Sequence, residues 1–262
     1  MRLWLIGCGN MAGAMLRRWI DSGVVAAVDV DVVNRADRAL PDGVRQARDL
    51  PEGPLPDLVM LGMKPQQIDE IVQRFAGRIA GVPILVSILA GVEEMTLAAR
   101  FSAGAVVRAM PNLPVAIGKG VVALQSDSAG PDARAAVAAL MAPLGLVEWV
   151  EAKQFDAITA LAGSGPAFLY RFIDALGAAG VSLGLGAEQA QRLALATVEG
   201  AGLMAAASDH DVAELAERVA SPGGSTRAGL NVLDQEDALA GLLRDTLAAA
   251  ERRNAEMAAA AR

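Results

Sequence analysis

The glycines that follow the first apolar segment carry the most recognisable chemistry in this chain. Leu3–Ile6 is apolar, and Gly7, Gly9 and Ala12 follow it with the spacing Gly-x-Gly-x-x-Ala. Gly7 permits a tight turn out of a strand, Gly9 lets the backbone approach a pyrophosphate, and a small Ala12 lets the next helix pack closely on the sheet. The spacing predicts a dinucleotide site, although a lone glycine motif also fits an ordinary strand-turn-helix.

A second apolar segment, Val30–Val33, begins about 20 residues further on, where a dinucleotide-binding unit recognises the ribose. An NAD site needs Asp or Glu at the end of this strand, whereas Asn34 and Arg35 offer an amide and a cation. Asp29 and Asp31 come too early in the strand to reach the ribose. We therefore predict NADP. The alternative, that Arg35 is a solvated strand-end arginine, stays open.

Composition restricts the class of protein. The 262 residues are 53% hydrophobic with a net charge of −7, which predicts a compact soluble protein that does not bind nucleic acid. No apolar run approaches the ~20 residues of a membrane span, and no signal peptide precedes the glycine motif. With one cysteine and one histidine, we expect no internal disulfide and no metal site, and we expect a cytoplasmic protein.

The elements that would position these residues alternate between strand and helix. Over residues 1–150, this alternation predicts a mostly parallel sheet covered by helices. Further strands are predicted at Leu58–Leu61, Ile84–Val86, Ala105–Val107, Gly120–Leu124 and Leu146–Val150, with helices at Gln66–Ile79, Glu93–Phe101 and Pro131–Leu144. Residues 151–262 are rich in Ala and Leu with helical periodicity. We predict an α/β fold: a Rossmann-type domain over residues 1–150, then an all-helical domain over residues 151–262 that forms a homodimer.

Protein acid-base groups are scarce. The single histidine, His210, lies in a polar cluster typical of a helix start, and no nucleophile elbow, P-loop or zincin motif occurs. Three polar or Gly/Pro-rich segments follow predicted strands, at Met63–Gln66, Ser87–Gly91 and Arg108–Pro114, where open α/β sheets bind ligands. We therefore expect the cofactor to supply the reactivity. Lys64 alone fits an ordinary surface lysine equally well.

A fourth such segment, Ser221–Thr226, lies in the helical half and precedes a predicted helix at Thr226–Leu233. Its free backbone N–H groups and the helix dipole would bind a carboxylate. A Ser/Thr helix cap after a Pro-Gly turn would explain the same residues without a ligand.

Together these motifs resemble the pyrroline-5-carboxylate reductases, which catalyse the last step of proline synthesis. The similarity runs from end to end, through Gly7–Ala12, Met63–Gln66, Ser87–Gly91, Arg108–Asn112, Leu161–Phe168 and Ser221–Leu230. It implies hydride transfer from NADPH to the cyclic imine of 1-pyrroline-5-carboxylate, giving L-proline. It also implies an active site between the two domains that is completed across the dimer. Whether NAD(H) is accepted as well stays open.

The resemblance also implies roles for individual residues. Asn34 and Arg35 would take the 2′-phosphate, and Met63–Pro65 and Ala90 the nicotinamide side. The residues assigned to the cofactor are Ile6, Gly7, Cys8, Gly9, Asn10, Met11, Ala12, Asn34, Arg35, Met63, Lys64, Pro65, Ala90 and Asn112. The substrate carboxylate would lie at Ser221, Gly224 and Ser225, with the catalytic Thr226 hydroxyl bonded to the ring nitrogen. An iminium carbon is already electrophilic, so positioning and one polarising hydrogen bond suffice.

Some positions depart from the family pattern. Leu113 and Ala162 replace small polar residues, and Asp49 replaces an asparagine at the adenosine end.

Two alternative functions remain. Another NADP-dependent reductase of this architecture, such as a β-hydroxyacid dehydrogenase, is disfavoured because no lysine occurs from Phe155 onward. A non-catalytic nucleotide sensor is disfavoured by the intact Thr226 and Pro-Gly-Gly turn.

Overall fold

The computed structural model describes residues 1–260, which fall into two compact units. The first comprises Met1–Ser164 together with the chain from Ala249 onward, and the second comprises Gly165–Ala248. The predicted functional division at residue 150 stays a prediction.

Within residues 1–260, eight strands form one sheet in the order β3-β2-β1-β4-β5-β6-β7-β8. Neighbouring strands from β3 to β6 are parallel, β7 pairs antiparallel with β6, and β8 is parallel to β7. The strands are β1 (Leu3–Ile6), β2 (Val30–Val33), β3 (Arg45–Ala47), β4 (Leu58–Leu61), β5 (Val82–Ser87), β6 (Ala103–Pro111), β7 (Gly120–Gln125) and β8 (Gly145–Trp149). The predicted mostly parallel sheet is confirmed.

Helices cover both faces of this sheet. Leu3 and Leu5 of β1 pack in one apolar cluster and Trp4 in the other, as the two-residue period of a strand requires. The helices of the first unit are α1 (Asn10–Asp21), α2 (Ile68–Phe75), α3 (Glu94–Arg100), α4 (Pro131–Met141) and α5 (Phe155–Ile158). Trp19 of α1 belongs to the first cluster and Phe75 of α2 to the second. The result is a doubly wound α/β sheet.

Among the described residues, the elements that follow β8 are all helical, as predicted. After α5, the α-helices are α6 (Gly165–Ser182), α7 (Ala187–Ala206), α8 (Val212–Arg218), α9 (Ser225–Asp234) and α10 (Ala238–Ala260). A Cβ added to Gly177 of α6 would lie 2.5 Å from Gln191 Oε1 and 3.5 Å from Gln191 Cα of α7, so these two helices pack closely here. No helix among the described residues is both long and apolar enough to cross a membrane.

Candidate active site

The loops that follow β1 and β4 touch each other, and glycine makes this possible. Gly7 has a φ of +86°, and a Cβ there would lie 2.6 Å from the backbone nitrogen of Met63. A Cβ on Gly62 would lie 2.5 Å from the carbonyl oxygen of Gly7 and 2.9 Å from Cβ of Ala12. The turn after β1 therefore has the conformation that Gly7 was expected to permit.

Gly9 differs from Gly7 because no described residue beyond its chain neighbours crowds it. No atom of those other residues lies within 4 Å of the position that its Cβ would take. Gly9 also precedes α1 without providing a side-chain cap, so the first N–H groups of α1 have no acceptor within the helix. Open space beside these donors and the positive end of the helix dipole form a suitable site for an anion such as a pyrophosphate.

A cleft of about 760 Å³ opens beside this loop. Its lining includes Ile6, Gly7, Cys8, Gly9, Asn10, Met11, Asn34, Arg35, Met63, Lys64 and Ala90 from the residues assigned to the cofactor. Ala12, Pro65 and Asn112 do not line it. Most of the predicted set is therefore gathered at the carboxyl ends of the parallel strands, where such sheets bind ligands.

The side chain of Asn34 supports the glycine loop. Its Oδ1 accepts a hydrogen bond of 2.8 Å from the backbone N–H of Cys8, and its Nδ2 donates one of 2.9 Å to Gln46 Oε1. Asn34 is buried, and these bonds occupy its oxygen and one of its amide hydrogens. This supporting role was not foreseen from the sequence, and contact with a 2′-phosphate stays a prediction.

Four arginines line the cleft beyond the end of β2: Arg35, Arg38, Arg48 and Arg74. Arg35 and Arg74 both pair with Glu70. A cluster of guanidinium groups suits a phosphate because each can donate two parallel hydrogen bonds. Only Arg35 was anticipated, since Arg38, Arg48 and Arg74 lie outside the strand-end motif.

Two of the nearby aspartates pair with arginines outside this cluster. Asp31 accepts a hydrogen bond of 2.8 Å from Arg45, and Asp49 forms an ion pair of 2.7 Å with Arg78. Neither aspartate lines the cleft. The end of β2 is therefore suited to a 2′-phosphate.

Pro65 shapes the edge of the cleft without lining it. It is the first residue of a single 3₁₀ turn, Pro65–Gln67, where proline's missing N–H is no loss. The Gln67 side chain accepts a hydrogen bond of 3.1 Å from the backbone N–H of Lys64. The turn thereby places Met63 and Lys64 on the cleft.

The opposite end of the cleft includes Arg108, Met110, Phe155, Thr159 and Gly163. The last two belong to a π-helical turn, Thr159–Gly163, which follows α5. A Cβ on Gly163 would lie 2.9 Å from Met110 Sδ, so this turn packs tightly against the end of β6. Turns of this kind are rare in proteins, and those that occur are often found at functional sites. The sequence motif containing Gly163 was noted, but its π-helical conformation was not predicted.

Asn112 holds this turn in place. Its Oδ1 accepts a hydrogen bond of 2.8 Å from the N–H of Val121, and its Nδ2 donates one of 2.9 Å to the carbonyl of Ala162. Its assignment to cofactor binding stays a prediction, because both amide atoms serve the protein and the residue does not line the cleft.

Comparison with known proteins identifies the family. A pyrroline-5-carboxylate reductase from Synechocystis is 33% identical over 265 residues, 98% of each chain. The chain belongs to the pyrroline-5-carboxylate reductase family. The family model for pyrroline-5-carboxylate reductase dimerisation matches residues 152–257, and a model described as NADP oxidoreductase coenzyme F420-dependent matches residues 2–91.

Solved reductase structures agree with this assignment. The pyrroline-5-carboxylate reductase of Coxiella burnetii is 31% identical, with a TM-score of 0.88 over 98% of both chains. The Plasmodium falciparum pyrroline carboxylate reductase, solved with NADP bound, has a TM-score of 0.84 over 98% of both chains, and at 23% identity it supports the fold alone. The family resemblance stated from the motifs is confirmed.

The reductase-family motif Ser221–Thr226 lies in the second unit. The N–H of Gly224 donates to the carbonyl of Ser221 at 2.9 Å, and Gly224 precedes α9 without a side-chain cap. Ser225 and Thr226 are the first residues of α9 and are exposed, and within residues 1–260 their hydroxyls form no hydrogen bond. The alternative of a Ser/Thr helix cap therefore does not describe this turn.

The second unit also exposes many large apolar side chains. Examples more than 45% exposed are Leu169, Tyr170, Phe172, Leu193, Leu203, Met204, Val232 and Leu242. Apolar surface of this extent marks an interaction site, and it lies within the region that matches the dimerisation model. The expected homo-oligomer is supported by this match.

His210 does not belong to the cleft lining. It is exposed and bonds to Glu214 and Arg218 on α8, while Asp211 caps that helix by accepting from the N–H of Glu214 at 2.7 Å. The helix-start interpretation is therefore confirmed.

By contrast, Asn254 of α10 lines the cleft and donates to the carbonyl of Asp156 at 3.2 Å. No sequence motif had indicated it.

Proposed function

We propose that this chain reduces the C=N bond of 1-pyrroline-5-carboxylate with NADPH, giving L-proline. The observation that carries the proposal is the similarity to a pyrroline-5-carboxylate reductase over 98% of both chains. When bound, NADPH supplies the hydride. The residues fit this cofactor, because open space at Gly9 adjoins a helix N-terminus and arginines gather at the end of β2.

Within this proposal, the chain binds and orients the cofactor through the strand ends. The donors beside Gly9 hold the pyrophosphate, and Arg35 with Arg38 holds the 2′-phosphate. Met63, Lys64 and Ala90 border the nicotinamide side. NADH has a 2′-hydroxyl in place of the 2′-phosphate and gives these arginines no anion to bind, so it is the poorer cofactor.

The substrate residues come from the turn before α9. The helix N-terminus at Gly224 and Ser225, with Ser221, binds the carboxylate. The Thr226 hydroxyl, which is exposed and unengaged among the described residues, forms a hydrogen bond to the ring nitrogen and orients the imine. The reaction needs no protein nucleophile because the iminium carbon is already electrophilic, so orientation dominates.

The assembly and location form part of the same proposal. The exposed apolar side chains of the second unit are buried between two copies of the chain. A single buried cysteine, Cys8, is compatible with a reducing cytoplasm.

The decisive assay follows NADPH absorbance while 1-pyrroline-5-carboxylate is added to the purified protein, with NADH in parallel. We expect rapid oxidation of NADPH, proline in equal amount, and slower oxidation of NADH. A protein that binds NADPH but oxidises neither cofactor would contradict the proposed activity. Faster oxidation of NADH would contradict the assignment of the arginine cluster alone.

A further inference from the structure

Arg108 is a buried cation whose guanidinium forms no hydrogen bond within the described part of the chain. It lies on β6, is 7% exposed, and its guanidinium carbon lies 3.9 Å from the centroid of the Phe155 ring. Among residues 1–260, its side chain makes no hydrogen bond and no ion pair within 4 Å. Arginine carries five N–H donors and stays protonated, and buried donors are normally satisfied. The charges of Asp156, Glu93 and Glu94 act on this guanidinium. Its N–H donors nevertheless face the cleft lining without a protein acceptor, so a ligand could supply one.

The nearest positions in the sheet do not supply that acceptor. Ser87 of β5 and Gln125 of β7 are the register partners of Arg108. Gln125 is buried, its Nε2 donates to Glu94, and its Oε1 has no partner in the described structure. Since directly paired residues share one face of a sheet, a guanidinium turned toward β7 would have satisfied this oxygen.

The position of Arg108 indicates which ligand atom it would meet. It lines the main cleft together with the loop Ile88–Gly91, which continues from its register partner Ser87. That loop contains Ala90, the residue proposed for the nicotinamide side, whereas the substrate carboxylate is proposed at Ser221–Ser225. The carboxamide oxygen of the nicotinamide is thus the acceptor left for Arg108.

We infer that Arg108 binds the cofactor by donating a hydrogen bond to the nicotinamide carboxamide oxygen. The inference rests on the proposed function, since it needs NADPH in the cleft. The bond would set the orientation of the ring and hence which face carries the reacting hydrogen. Phe155 holds the guanidinium from its other side.

The test compares two ligands that differ only in the nicotinamide half. Calorimetry measures the affinities of NADPH and of 2′-phospho-ADP-ribose, which lacks the ring, for the wild type and Arg108→Met. A charge-assisted bond lost from the complex predicts NADPH binding weaker by roughly ten- to a hundredfold. Binding of 2′-phospho-ADP-ribose should not change.

The matched control is Arg134→Met. Arg134 also stacks on an aromatic ring, 4.4 Å from the centroid of Trp149, but it donates to the carbonyls of Ser126 and Ala129 and does not line the cleft. Its loss should lower stability and leave the ratio of the two affinities unchanged. Arg108→Lys, which keeps the charge, should recover part of the NADPH affinity.

Several results would overturn the inference. An unchanged NADPH affinity in Arg108→Met, an equal loss for both ligands, or a loss confined to the KM for pyrroline-5-carboxylate would each do so. A wild type that binds neither ligand would remove the proposed function as well. If Arg108→Met does not fold, the wild type is tested with the reduced thionicotinamide analogue. Its sulfur accepts poorly, so weaker binding than NADPH is expected, and equal binding would refute the inference.

Discussion

Asn34 offers the sharpest test of how this fold holds its cofactor loop. In Asn34→Leu, the buried N–H of Cys8 has no acceptor, which costs about 1–3 kcal/mol of stability. Loss of the hydrogen bond to Gln46 costs roughly a further 0.5–1.5 kcal/mol. We expect the free energy of unfolding to fall by roughly 2–4 kcal/mol. NADPH should also bind more weakly, because the N–H groups beside Gly9 are no longer held in place.

Two matched variants separate the two hydrogen bonds. Gln46→Leu removes only the bond to Asn34 Nδ2, so its loss should be about 1 kcal/mol. Asn34→Asp keeps an acceptor for Cys8 and should remain more stable than Asn34→Leu, while its charge disfavours a 2′-phosphate and shifts preference toward NADH. Urea unfolding followed by tryptophan fluorescence, at one fixed protein concentration, gives the stabilities. An Asn34→Leu protein as stable as Gln46→Leu would refute the role assigned to the Cys8 bond.

Three further predictions concern single residues. Thr226→Ala should reduce kcat strongly and leave the NADPH affinity near that of the wild type; steady-state kinetics with a binding titration checks this, and equal losses in both would contradict it. Arg35→Asp should lower the ratio of kcat/KM for NADPH over NADH, and an unchanged ratio would leave Arg38 as the main phosphate contact. Burial raises the pKa of the Cys8 thiol, so less thiolate forms at pH 8 than in a free cysteine. Its alkylation should therefore be slow in the native protein and fast in urea, whereas equal rates would contradict its burial.

The buried strands could be predicted because strands covered on both faces are apolar along their whole length. Both faces of a parallel strand are covered, so β1 and β4 are short uninterrupted apolar runs, and β2 is apolar except for Asp31. The strand β3 escaped prediction because Arg45–Ala47 is three residues long and largely exposed at the sheet edge. The reversal of β7 relative to β6 was also not foreseen, because an apolar run carries no direction.

The site was predictable where chemistry depends on local sequence. Gly7 and Gly9 serve a turn and a helix start formed by their immediate neighbours, so their spacing, together with the strand that follows, predicted a dinucleotide site. Arg108 lies in a segment that the motifs singled out, yet its lack of a hydrogen-bond partner depends on Phe155 and Gln125, which reach it through the fold. The absence of a hydrogen-bond acceptor has no signature in a motif.

Asn34 and Asn112 show most directly which roles cannot be predicted from the sequence. Asn34 and Asn112 both end a strand beside a motif, and from sequence each is equally a ligand for the cofactor. Their partners lie 26 and 50 residues away, at Cys8 and Ala162, so only the folded chain reveals that their amides are engaged. Both hold a loop or turn that borders the cleft. A polar residue in a ligand-binding family can therefore be required because it fixes the backbone that the ligand meets, and the Asn34 variants distinguish that role from direct contact.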